Sequence, residues 1–373
     1  MGKLKVATIL GTRPEIIRLA ECIKLCDIYF NHVLIHTGQN YDYELNEIFF
    51  EDLNLKRPKF FLNVAGKHLG ETIGNVISKS YEILQKEKPD ALLVLGDTNS
   101  VLCTIAAKRL KIPIFHMEAG NRCFDQNVPE EINRKISDHI SDINLVYTEH
   151  SRRYLLSEGF RKDHVFVTGS PLFEVLKKND LNIQNSDVIE RLGLEKDKYI
   201  VFSAHREENI DLKNHFEVLS DSLNAVAEKY KMPIIFSTHP RTRKRKEGSN
   251  VLFNTWIKNI PPLGFFDYVK LQQNAFVVLS DSGTISEESA MIGFAAVSIR
   301  TSTERPEAVD VGSIVLGGIG KNDLLNAIEI AKGLSISCKS QLPLDYQVTN
   351  TSERIVKVIQ SYTPIINKVI WDK

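Results

Sequence analysis

A chain of 373 residues exceeds what one hydrophobic core usually supports, so two domains are expected. Lysines plus arginines equal aspartates plus glutamates at 47 each, which argues against nucleic acid or any other polyelectrolyte as a partner. Hydrophobic residues at 43% and charged residues at 25% are ordinary for a water-soluble globular chain, and no apolar run approaches membrane-spanning length.

Lys3-Leu4-Lys5 runs straight into a strand pattern too short for the apolar core of a signal peptide, so a cytoplasmic location without a membrane partner is expected. The five cysteines (Cys22, Cys26, Cys103, Cys123 and Cys338) are scattered and fit reduced thiols. Cys22 and Cys26 lie one helical turn apart, but no second pair completes a metal site, and no metal is expected.

In chain order, Leu4 to Leu10 reads as a strand, followed by Gly11-Thr-Arg-Pro-Glu15 and a helix through about Cys26. His32 to Thr37 is the next strand, and Asn40 to Asp52 reads as a helix. Gly70 to Gln85 has the apolar spacing of a helix, with Ile73, Val76, Ile77, Tyr81 and Leu84 on one face. The strand Ala91 to Leu95 ends in Gly96-Asp97-Thr98-Asn99-Ser100 and leads into a helix over Ser100 to Leu110. Ile112 to Phe115 reads as a buried strand. The loop behind it carries four carboxylates (Glu118, Asp125, Glu130 and Glu131), two arginines (Arg122 and Arg134), His116 and Gly120. A helix starts near Pro129, with Ile132, Ile136 and Ile140 at helical spacing. Ile143 to Val146 and His164 to Val167 close this half.

The second half repeats the alternation. Its strands are Tyr199 to Ser203, Pro233 to Ser237, Phe276 to Leu279 and Ala296 to Ile299, with a helix over Ile285 to Ile292. Such alternation means parallel sheets covered on both faces. The fold class is therefore α/β: two doubly wound Rossmann-like domains with a cleft between their strand ends. The domains are expected at 1–170 and 171–351, the boundary lying near the polar, irregular stretch Lys177 to Ser186. The last helix, read over Ser352 to Tyr362 within 352–373, is expected to pack back on the first domain.

In an open α/β sheet, ligands bind beyond the carboxyl ends of the strands. Gly11-Thr-Arg-Pro-Glu15 is not the dinucleotide pattern, so a nicotinamide cofactor is not indicated. It offers a tight turn, Arg13 to meet a phosphate and Pro14 at a helix start, with Arg18 about one turn further on. Ser282-Gly283-Thr284 at a helix mouth suits a diphosphate, and Glu288 one turn inside could accept both hydroxyls of a ribose. His205-Arg206-Glu207-Glu208-Asn209 places a titratable cluster at a strand end, and Thr303-Glu304-Arg305-Pro306 supplies another cation. Asp97 adds a carboxylate near Glu118. The basic run Arg241 to Lys246 reads as a solvated loop, since no aromatic residues interleave it.

Seven motifs in register resemble one family over nearly the whole chain. They are Gly11-Thr-Arg-Pro-Glu15, Gly96-Asp97-Thr98, His116-Met-Glu-Ala-Gly120, Pro129-Glu-Glu-Ile-Asn-Arg134, His205-Arg-Glu-Glu-Asn209, Asp281-Ser-Gly283 with Glu287-Glu288, and Thr303-Glu-Arg-Pro-Glu307. They are similar to the non-hydrolysing UDP-N-acetylglucosamine 2-epimerases. The resemblance implies a glycosyltransferase-B-like fold, a UDP-2-acetamido sugar as substrate, UDP as a ligand, and inversion at C2 without a cofactor. By motif position Asp97, Glu118 and Glu130 match the family's catalytic carboxylates and His205 its active-site histidine. Arg13, Ser282, Glu288 and Arg305 match residues that hold the nucleotide, and Arg18, Gly283 and Thr284 are read into the same role. A homodimer is expected.

Two departures refine the expectation. The loop Asn121 to Pro129 resembles the branch that converts the 2-acetamido-2,6-dideoxy-L-talose nucleotide to UDP-N-acetyl-L-fucosamine for capsule or O-antigen. Gln39 to Tyr43 differs from the segment by which some members bind a second, activating sugar nucleotide. The alternatives are conversion of UDP-N-acetylglucosamine to UDP-N-acetylmannosamine, or a UDP-sugar glycosyltransferase of the same fold. A glycosyltransferase needs one base and an acceptor groove, so three clustered carboxylates argue against it.

Overall fold

The computed structural model describes residues 2–38, 43–204, 206, 213–237, 251–300, 303–338 and 342–373, with the backbone alone described at 43–46, 213 and 335–338. They form two compact units, Met1–Lys178 with Leu344–Lys373, and Asn179–Pro343.

The first unit contains β1 (Lys5–Leu10), β2 (Asn31–His36), β3 (Phe60–Phe61), β4 (Ala91–Leu95), β5 (Ile114–Met117), β6 (Ile143–Val146) and β7 (Val165–Val167). They lie in the order β3-β2-β1-β4-β5-β6-β7, every pairing parallel. The second contains β8 (Ile200–Ser203), β9 (Ile234–Ser237), β10 (Ile257–Ile260), β11 (Val277–Ser280), β12 (Ala296–Ser298) and β13 (Val315–Leu316). Its order is β10-β9-β8-β11-β12-β13, again all parallel. Each sheet thus has one point where the strand order reverses, between β1 and β4 and between β8 and β11.

Burial explains the apolar runs. All five residues of β4 are buried, because helices cover both faces of the sheet. In the second unit, alternate residues of the same strands feed two cores. Phe202, Leu279 and Val297 join one, while Val201, Val278 and Ala296 join the other. Among the described residues no helix is long and apolar enough to cross a membrane.

The Thr351–Val369 helix packs against the Arg13–Tyr29 and Pro171–Lys178 helices. Its first turn is held by the buried Glu174, which accepts from the Ser352 N–H at 2.9 Å and from the Ser352 hydroxyl. The stretch expected to be irregular, Lys177 to Ser186, is instead helical over Pro171–Lys178 and Asp180–Gln184. Burial of Ile183 anchors the second of these short helices, an apolar contact that a polar composition hides. The units divide after Lys178, within the stretch Lys177 to Ser186 where the boundary is expected, and again before Leu344, a few residues ahead of 351/352.

Candidate active site

The ends of β1 and β4 flank the first reversal point, and from them run Gly11-Thr12-Arg13 and Gly96-Asp97-Thr98. Glu15 ties the two loops together. Its carboxylate accepts from the Gly11 N–H at 3.0 Å, the Thr12 hydroxyl at 2.8 Å, the Thr98 hydroxyl at 3.3 Å and the Ser100 hydroxyl. Burial pushes the Glu15 carboxyl above its ordinary value, against the pull of those hydrogen bonds. Arg13 is half-buried, its guanidinium carbon 5.9 Å from the centre of the Phe49 ring. Arg18 is buried on the same helix.

Glu118 follows β5 directly, in the left-handed conformation at φ +61° and 6% exposed. Left-handed backbone costs a non-glycine residue roughly 1–2 kcal/mol, and such strain concentrates at functional sites. Arg134 joins Glu118 to Asp97. One guanidinium nitrogen, Nη2, pairs with Asp97 Oδ2 and lies 3.3 Å from Glu118 Oε1. The neighbouring Asn133 donates to the Asp97 carbonyl at 3.0 Å.

The Pro129–Ile140 helix supplies Asn133 and Arg134; of the apolar face read from periodicity, Ile136 and Ile140 pack on the core, but Ile132 does not. Ile132 is 49% exposed, while Glu131, Asn133, Arg134, Ser137 and Asp138 are buried. A polar face goes inward here because each group finds a partner in a strand-end loop. Glu131 accepts from the Cys123 N–H at 3.0 Å and pairs with Lys135 at 3.0 Å. Asp138 accepts from the Gly120 N–H at 3.1 Å and pairs with Arg122 at 2.7 Å and His116 at 2.9 Å. Glu130, one residue from Glu131, stays half-exposed at the helix start. The structure therefore distinguishes two adjacent glutamates: Glu131 is buried and fastens the loop, and Glu130 is half-exposed.

In the second unit β11 runs into Asp281, which is fully buried and accepts from the Arg206 N–H at 3.0 Å. Ser282, Gly283 and Thr284 precede the Ile285–Ile292 helix. The Ser282 and Thr284 hydroxyls lie 3.0 Å apart, Thr284 donates to Glu288, and Gln272 donates to Glu288 at 2.8 Å. A Cβ at Gly283 would come 3.2 Å from Arg206 Nη2. Arg305 is buried, 3.4 Å from Glu287, and Arg300 lies 3.4 Å from Glu304. His205, with Glu207, Glu208 and Asn209, lies outside the described residues, as do Gln39 to Asp42 and Arg241 to Lys246.

The structure thus brings Asp97 and Glu118 together through Arg134, places Glu130 at the start of the helix that carries Arg134, and groups Ser282, Gly283, Thr284 and Glu288 at another helix start. The sequence reading missed Glu15, Asn133 and Asp138 as residues that hold the site. The signal available was position: Glu15 and Asn133 stand inside two of the seven motifs, and Asp138 lies about one helical turn beyond Arg134. Among the described residues no cluster of His, Cys, Asp and Glu has the arrangement to hold a metal ion.

The family model described as UDP-N-acetylglucosamine 2-epimerase matches residues 26–360. The chain is similar to the UDP-N-acetylglucosamine 2-epimerase of Rickettsia bellii, with a TM-score of 0.91 and 46% identity over 100% of each chain. The Methanocaldococcus jannaschii enzyme, solved with UDP-GlcNAc and UDP, gives a TM-score of 0.90 and 36% identity over 96% of this chain and 99% of that one. The UDP-2,3-diacetamido-2,3-dideoxy-D-glucuronate 2-epimerase of Pseudomonas aeruginosa is 31% identical over 95% of this chain and 99% of its own. With the model spanning most of the chain, and both sheets carrying the motifs at their strand ends, this protein belongs to the non-hydrolysing UDP-N-acetylglucosamine 2-epimerase family, an isomerase of glycosyltransferase-B-like fold built from two Rossmann-like domains.

Proposed function

We propose that the chain inverts C2 of UDP-2-acetamido-2,6-dideoxy-L-talose to give UDP-N-acetyl-L-fucosamine, by elimination and re-addition of UDP. The observation that carries the chemistry is the pairing of Asp97 and Glu118 on one guanidinium at a strand-order reversal. The choice of sugar rests on the wording of the loop Asn121 to Pro129.

The C2 proton of an acetamido sugar is not adjacent to a ketone, so a carboxylate near neutral pH cannot remove it alone. Breaking the C1–O bond in the same process makes removal feasible, because the ring oxygen supports the developing positive charge. A carboxylate takes the C2 proton, the C–H pair becomes the C1–C2 double bond, and the C1–O pair leaves with UDP. The intermediate is a 2-acetamidoglycal. UDP then re-adds at C1 while a second acid–base group protonates C2 on the opposite face. Asp97, Glu118 and Glu130 supply the proton-transfer groups, with Arg134 offsetting the charge of the first two. On the nucleotide, Ser282, Gly283 and Thr284 offer helix-start N–H groups to the diphosphate, and Glu288 accepts from the ribose. Arg13, Arg18 and Arg305 are assigned to the leaving group, and His205 to the same reaction by motif position.

A second reading is favoured by the names of relatives: the Rickettsia bellii and Methanocaldococcus jannaschii proteins are UDP-N-acetylglucosamine 2-epimerases. The deciding experiment offers the purified protein each sugar nucleotide in heavy water and follows products by NMR. The L-talose nucleotide should be converted faster, with deuterium at C2 and nowhere else on the ring. Faster turnover of UDP-N-acetylglucosamine would replace the substrate. Product without deuterium at C2 would overturn the mechanism.

A further inference from the structure

We infer that His116 is a positioning residue of the epimerisation: its imidazole pins the Gly96 peptide and so keeps Asp97 and Glu118 in register for proton transfer. This rests on the reading that those carboxylates move protons.

His116 is the penultimate residue of β5 and is fully buried. Its Nε2 lies 2.7 Å from the Gly96 carbonyl oxygen, which can only accept, so Nε2 carries a hydrogen. Its Nδ1 lies 2.9 Å from Asp138 Oδ1. Burial alone would raise the Asp138 carboxyl, but His116 and Arg122 hold it below its ordinary value, so it too is an acceptor. Arg122 and Glu158, paired at 2.8 Å, complete the charges behind the loop. Arg134, which carries Asp97 and Glu118, meets Arg122 at the Asn121 carbonyl, 3.4 and 2.9 Å away respectively.

The consequence lies in Gly96. Its N–H donates to the Met117 carbonyl at 2.9 Å, while its own carbonyl accepts from His116. Gly96, the residue before Asp97, is therefore held through both of its flanking peptides by the two residues that precede Glu118. Gly96 takes a left-handed φ of +78°, and a side chain there would come 4.0 Å from Glu118 Oε2. Releasing the carbonyl would let the Gly96–Asp97 peptide rotate, moving one carboxylate relative to the other. Misplacement of about 1 Å can cost a hundredfold in rate.

Two amide side chains separate the two ring contacts. In His116→Gln the amide nitrogen falls near the Nε2 position and can donate to Gly96. In His116→Asn it falls near Nδ1 and can donate only to Asp138. We expect His116→Asn to lose roughly hundredfold in kcat, and His116→Gln to stay within about fivefold of the native chain. KM and UDP affinity should stay within about twofold for both. Equal kcat for the two variants, or a parallel loss of UDP affinity, would overturn the inference. Asp97→Asn and Glu118→Gln belong in the same assay. If they keep full turnover, the carboxylate reading falls first; if they are inactive while both His116 variants are active, only the positioning role falls. Native protein gives an independent readout. Nitrogen-15 NMR of labelled histidine should show His116 with its hydrogen on Nε2 at pH 7, and a bare Nε2 would overturn the assignment.

Discussion

The two reversal points share a topology and differ in wiring. At the first, a glutamate in strained backbone and an aspartate are clamped on one arginine, and the loops around them are fastened by buried groups of the Pro129–Ile140 helix and by Glu15. At the second, the hydroxyls and carboxylates are occupied with each other. Ser282 meets Thr284, Thr284 meets Glu288, and Arg305 meets Glu287. A preset cluster suits proton transfer, where angles and distances decide the rate. Groups that satisfy one another can exchange those bonds for a ligand's, which suits nucleotide binding. Strand order marks where chemistry can sit, and side-chain wiring decides which chemistry it is.

The largest expected effect would break this comparison outright. Asp97→Asn, Glu118→Gln and Glu130→Gln should each lower turnover by roughly a hundredfold or more, as loss of a proton-transfer group does. UDP affinity, measured by calorimetry, should change less than about threefold. A carboxylate variant that weakens UDP binding as much as turnover would merge the two sites' roles. Ser282→Ala should do the reverse and more mildly. Removing one hydrogen-bonding hydroxyl should weaken UDP by roughly tenfold at most and leave kcat at saturation near native. A normal UDP affinity in that variant would remove Ser282 from the nucleotide site.

Much of this was legible in the sequence, for reasons that also mark where reading fails. Long apolar runs such as Leu92 to Val94 and Val277 to Leu279 announce buried parallel strands, because both faces are covered. Three of the four edge strands carry no such run. β10 exposes Lys258 and Asn259, while β3 and β13 are two residues long, so all three escaped notice. The Pro129–Ile140 helix shows the second limit. Periodicity searches for an apolar face, and this helix buries a charged one, leaving Ile132 in solvent. Adjacent Glu130 and Glu131 are equivalent in composition. Only the contacts of Glu131 with Cys123 and Lys135 assign it to support.

The smallest expected effect concerns stability and pH, and it sharpens the first unit's side of the comparison. Asp138 has a folded-state pKa below its ordinary 3.8. Its contribution is therefore present above that value and is lost as pH falls through 3.8 toward the folded value. Glu15 works in the opposite sense: its folded pKa is raised above 4.5, so the stability it contributes is present in acid and lost as pH rises through the folded value. Comparing variants isolates the Asp138 share. Asp138→Asn should be less stable than the native chain at pH 7, since His116 and Arg122 lose their anion, yet should lose less stability between pH 5 and about pH 3. Denaturant midpoints at those pH values measure this. An equal acid loss in native and variant chains would mean that Asp138 is not the carboxylate that fastens the loop through its charge.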